Sequence, residues 1–115
     1  MSRKQLPSDR AAFNELLVRS VDETITGILG KTVSSAFTNY MSANFGLEIE
    51  EIPSRPDVLF KALHDSFGLG GDRLGKYIVR KLYQKAGADF PENNGHSLTE
   101  YVQSLKTRLT DEVLQ

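Results

Sequence analysis

Phe67-Gly68-Leu69-Gly70-Gly71-Asp72 is the stretch on which the fold depends, three glycines set between two amphipathic runs, 54–67 and 72–86. Upstream, Leu59, Phe60, Leu63 and Phe67 recur at the three-and-four spacing that gathers side chains on one helix face. Downstream, Leu74, Tyr77, Ile78 and Leu82 do the same. Two helices are therefore predicted to meet here, with Gly68 in the positive-φ conformation that ends a helix without a Cβ penalty. Leu69 then supplies the apolar contact of a Schellman cap. Leu63, Phe67, Leu74, Ile78 and Leu82, with Phe60, are the expected centre of one core.

Working outward towards the N-terminus, Ser54-Arg55-Pro56-Asp57 reads as a helix start, with the serine hydroxyl as cap and proline in the first turn. The link 47–53 before it is expected to be extended, because Ile52 and Arg55 both precede prolines. Thr32 to Gly46 predicts a helix capped by Thr32, with Val33, Ala36, Phe37, Tyr40, Met41 and Phe45 on its inner face. The opposite face carries Ser34, Ser35, Thr38 and Ser42. A first helix, opened by Ser8 and stopped between Gly27 and Gly30, shows a stripe of Phe13, Leu16, Leu17, Val21, Ile25 and Ile28.

Towards the C-terminus, Gly87 is the expected stop of the fourth helix. Residues 88–97 are expected to form a loop or a very short hairpin around Asn93-Asn94-Gly95. Ser97-Leu98-Thr99-Glu100 is a capping box that opens a last helix on Leu98, Tyr101, Val102, Leu105 and Leu109. The prediction is a compact all-α bundle of about five helices over residues 8–115, behind a polar arm of residues 1–7.

Composition narrows function more than it defines it. Without cysteine the chain has no thiol catalysis, thiolate metal site or disulfide, which suits a reducing cytoplasm. Fourteen Lys and Arg against fifteen Asp and Glu give a net charge of -1, so no global field recruits nucleic acid or anionic membrane. No apolar run approaches the ~20 residues that span a bilayer, and a cytoplasmic location without a membrane partner is expected.

One local charge feature stands out. Arg73, Lys76 and Arg80 sit at i, i+3 and i+7, with Lys81 and Lys85 nearby, so the fourth helix carries a basic face able to meet phosphate or acid. Helix, glycine turn and helix is also the outline of a helix-turn-helix, whose second helix, 72–86, would enter the major groove. The bland alternative is a solvated outer face. Gly68 to Gly71 lack the lysine and Ser/Thr of a phosphate loop, and Asp72 would repel an anion there. His64-Asp65-Ser66 cannot form a relay, since helix neighbours point ~100° apart. His64 and His96 are isolated, so no metal or cofactor site is expected, and Glu50 and Glu51 are expected to solubilise the link.

The segments Asn44-Phe45-Gly46-Leu47, Glu50-Glu51-Ile52-Pro53, Phe60, Ala62-Leu63, Phe67-Gly68-Leu69-Gly70, Lys81 to Gly87 and Thr99-Glu100-Tyr101-Val102 together resemble a small archaeal domain family. That family occurs alone or as an output module of archaeal signal-transduction proteins, and the resemblance runs from about Leu29 to Val102. It implies no catalytic motif. The expected role is a non-enzymatic protein-interaction or signalling-output module, with another protein as partner. A second copy of the chain is also open as partner, since Leu6, Val113 and Leu114 add apolar surface at the two ends. The alternatives are helix-turn-helix nucleic-acid binding and small-ligand binding.

Overall fold

The computed structural model describes residues 10–92 and 95–114, with side chains as far as Leu109. In chain order these form α1 (Arg10–Leu29), α2 (Lys31–Phe45), a 3-10 helix (Ile49–Ser54), α3 (Pro56–Phe67), α4 (Leu69–Lys85) and α5 (Leu98–Leu114). The expected all-α bundle is what forms, and no strand occurs among the described residues. Ser8, the arm 1–7 and the turn residues Asn93 and Asn94 lie outside the described residues, as do the side chains of Val113 and Leu114.

Helix α4 is the axis of the bundle, packed against α1, α3 and α5. Its inner face places Leu74, Ile78, Val79, Leu82 and Tyr83 in a core shared with Phe13, Leu17, Val21 and Ile25 of α1, Leu59 and Leu63 of α3, and Tyr101, Val102 and Leu105 of α5. Phe60 and Phe67 are partly buried against that core. The Phe67 ring lies 5.7 Å from that of Phe37, joining α3 to α2.

The glycine stretch works differently from a turn. Gly68 alone joins α3 to α4, at φ 59° and ψ -132°. Its N–H donates to the His64 carbonyl at 2.7 Å, closing α3, while its own carbonyl accepts from Gly71 N–H at 2.9 Å, opening α4. Leu69 is the first residue of α4 and 77% exposed, so the Schellman contact expected of it is not made. Gly70 and Gly71 are helical. A Cβ on Gly71 would overlap the Leu63 carbonyl, and one on Gly75 would press on Leu98 and Phe60. The glycines thus let backbones approach, which is the other use of a missing side chain.

Several caps differ from expectation. Helix α2 begins at Lys31 on Gly30, so Thr32 falls inside the first turn and caps nothing. Ser54 belongs to the 3-10 helix, and Arg55 takes the cap position of α3 without a side-chain capping bond, while Pro56 holds the first helical position as expected. The 47–53 link is coiled rather than extended: Glu48 N–H donates to Glu51 Oε1 at 2.9 Å, and Leu47 and Ile52 are buried. Glu51 is therefore a local structural group. The glycine stops at Gly46 and Gly87 are as read, both at positive φ. In the α5 capping box, Ser97 N–H donates to Glu100 Oε1 at 2.8 Å and Glu100 N–H to Ser97 Oγ at 3.1 Å.

Two faces are rotated from the expected ones. On α2 the buried residues are Ser34, Phe37 and Met41, while Val33 is exposed and Ala36 faces solvent. On α1, Ser20 and Thr24 are buried and Ile28 is 53% exposed. The hydroxyl of Ser20 donates to the Leu16 carbonyl at 2.8 Å, which satisfies it inside the core.

Candidate functional site

The best-formed candidate surface is what α4 keeps for solvent after α1, α3 and α5 have covered the rest of it. Leu69, Arg73, Lys76, Tyr77, Arg80 and Gln84 are exposed along one strip. Tyr77, read on the apolar face of this helix, is 46% exposed, because the inward direction is taken by Leu74, Ile78 and Val79. Val79 and Tyr83, absent from the expected stripe, are buried instead.

Beside the strip runs a groove of about 320 Å³ between α1 and α4, lined among others by Thr24, Gly27, Ile28, Tyr77, Arg80 and Lys81. Gly27 leaves it open, since a Cβ there would meet nothing within 4 Å. Ile28 and Tyr77 flank it as two of the four large hydrophobics most exposed to water, and Leu69 is a third. Thr24, 3% exposed, reaches the same groove, and its Oγ1 has no hydrogen-bond partner.

The predicted basic residues are brought together on this strip, but they are not equivalent. Arg73 and Lys76 make no ion pair among the described residues. Arg80 pairs with Glu92 of the 86–97 connection, and its guanidinium lies 6.0 Å from the centroid of the Phe90 ring. Lys85 binds Glu23 of α1 at 3.0 Å, and that hydrogen bond holds the Glu23 carboxyl below its ordinary range.

The connection that brings Glu92 to Arg80 is held from below. Phe90 lies 4.7 Å from the Tyr101 ring and 5.3 Å from that of Tyr83. The Tyr101 hydroxyl donates to the Pro91 carbonyl at 2.7 Å, and the Tyr83 hydroxyl to the Tyr101 carbonyl at 2.7 Å. Burial pushes the Tyr83 hydroxyl above the ordinary tyrosine range, so it remains a donor at neutral pH. Sequence reasoning placed Tyr101 on the apolar stripe of the last helix but missed the roles of Tyr83, Phe90 and Glu92, which depend on two helices and a loop meeting.

The other candidates resolve into local structure. Gly71 and Asp72 N–H groups both point to the Gly68 carbonyl, so these two donors of the glycine stretch are used within the joint. His64 Nδ1 and Asp72 Oδ1 are 3.0 Å apart across the α3–α4 joint, and Lys61 pairs with Asp65 at 3.7 Å. His96 packs edge-on to Tyr101. Among the described residues no group of three or more His, Cys, Asp or Glu could hold a metal ion, and no helix is long and apolar enough to cross a membrane. A second groove, between α1 and α2, is polar and lined by Asp22, Thr26, Lys31, Ser34, Thr38 and Asn39. Thr26 and Thr38 already bond within their own helices there, to Asp22 and to the Ser34 carbonyl.

Comparison with protein-family models, curated proteins and solved structures finds no match to this chain. The arrangement itself is chemically legible. It joins exposed aromatic and aliphatic groups to cations around an open groove.

Proposed function

We propose that this chain is a non-enzymatic docking module whose partner is another protein, received on the α4 strip and the α1–α4 groove. The observation that carries the reading is Ile28 and Tyr77 standing exposed on the two sides of one groove that Gly27 leaves open. Exposed apolar groups scattered singly need no explanation, whereas a flanked groove rimmed by arginine is where interface energy concentrates. The resemblance to archaeal output modules adds the proposal that the docking transmits a signal, in the cytosol that a cysteine-free chain fits.

The nucleic-acid reading is less well supported by the same geometry. A helix-turn-helix offers the first turns of its second helix to the groove. Here the first turn carries Leu69, Gly70, Gly71 and Asp72, with Arg73 and Lys76 just beyond it, and Arg80 is already engaged by Glu92. A photo-crosslinking amino acid placed at Tyr77, and for reference at the exposed Gln103 of α5, tests the assignment in living cells. Protein adducts of discrete size at position 77, absent at 103 and lost on Gly27→Gln, are the expected result. Adducts at 77 that nuclease removes would give the strip to nucleic acid instead.

A further inference from the structure

Resting on that docking reading, we propose that the partner segment is an acidic helix with apolar anchors, and that Glu92 occupies Arg80 as an internal stand-in for the partner's carboxylate. Charge complementarity selects the partner. The chain as a whole is balanced, at a net charge of -1, yet Arg73, Lys76, Arg80 and Lys81 all project from or beside one strip of α4. Three acids on this face or its borders are already engaged: Glu23 with Lys85, Asp72 with His64 and Glu92 with Arg80. Arg73 and Lys76 are left without a carboxylate among the described residues. Length fits too, since Leu69 to Gln84 at a rise of ~1.5 Å per residue spans ~22 Å, about four turns of a partner helix.

The Arg80 site is built to exchange one acid for another. Its guanidinium is steadied over Phe90, and Phe90 is anchored between Tyr83 and Tyr101, so the cation keeps its place when Glu92 leaves. Glu92 is presented by a backbone whose carbonyl, with that of Pro91, accepts from the Tyr101 hydroxyl. Both side chains of the pair are about half exposed, and such pairs are weak, so an incoming carboxylate displaces Glu92 at little cost. Apolar anchors then meet Ile28, Tyr77 and the space above Gly27.

An unbiased selection tests this. A displayed library of random peptides is panned on the full chain, on Gly27→Gln, and on the Arg73→Gln, Lys76→Gln, Arg80→Gln triple variant, with folding of each checked by circular dichroism. The wild type is expected to enrich peptides rich in Asp and Glu with at least one large apolar residue, and both variants are expected to lose them. A selected acidic peptide, measured by fluorescence anisotropy, is expected to bind Glu92→Gln two- to about five-fold tighter than wild type, the scale of one exposed pair. Enrichment of apolar peptides without acidic bias, still blocked by Gly27→Gln, would overturn the acidic partner and leave the docking surface standing. No enrichment that depends on Gly27 would remove both. Unchanged or weaker binding by Glu92→Gln would overturn the exchange, and nanomolar displacement of the peptide by a random duplex at physiological salt would hand the strip to nucleic acid.

Discussion

Gly30 joins α1 to α2 and Gly68 joins α3 to α4, each a single residue at positive φ, yet what stands behind each joint differs. Behind Gly68, Gly71 and Gly75 bring α4 against α3 and the start of α5 until the Leu63 carbonyl and the Phe60 and Leu98 side chains fill the space a Cβ would need. Near Gly30, Gly27 has nothing within 4 Å, Ile28 faces solvent, and the buried Oγ1 of Thr24 lacks a partner. The same residue type closes the α3–α4 seam and, near the other joint, leaves open a groove that lies between α1 and α4. A joint sets only where the chain reverses; the side chains opposite decide how tightly the two helices meet.

The sharpest way to break the contrast is to put side chains where the glycines are. Gly71→Val is expected to abolish the cooperative unfolding transition, because backbone rather than a flexible side chain stands in the way. A normal urea melt for that variant would show that α3 and α4 are not in close contact. Leu63→Ala, at the centre of the same seam and fully buried, is expected to lose ~2–5 kcal/mol by transfer and cavity terms. A loss below ~1 kcal/mol in a denaturant titration would place the core elsewhere.

The joints themselves should behave alike, which isolates the packing behind them. Gly68 and Gly30 both occupy backbone conformations that only glycine adopts readily, so Gly68→Ala and Gly30→Ala are each expected to cost ~1–3 kcal/mol. If one melts as wild type, its joint has another conformation. The smallest effect has the opposite sign. Gly27→Ala adds a methyl into open space inside a helix and is expected to stabilise by ~1 kcal/mol, raising the urea midpoint without changing the slope. A destabilised Gly27→Ala would mean that the groove between α1 and α4 is closed.

Local chemistry explains what could be read without the structure. The stops at Gly46 and Gly87 and the Ser97–Glu100 box are decided within a few residues, by φ and by hydrogen bonds to nearby N–H groups, so they appear in the sequence and in the fold alike. Ser54 and Thr32 look equally good on paper, but each sits one or two residues away from the true helix start, where its hydroxyl caps nothing.

By itself, the sequence determined that this protein is an all-α bundle, that Leu63, Leu74, Ile78 and Leu82 lie in its core, and that Arg73, Lys76 and Arg80 share a face. Periodicity reports those facts because a helix repeats every ~3.6 residues whatever surrounds it. Only the tertiary structure decided that Tyr77 and Ile28 face outward across one groove, that Gly71 and Gly75 are contacts rather than turn residues, and that Glu92 holds Arg80. Each of these depends on which element lies opposite, and residues far apart in the chain carry no mark of the neighbour that folding gives them.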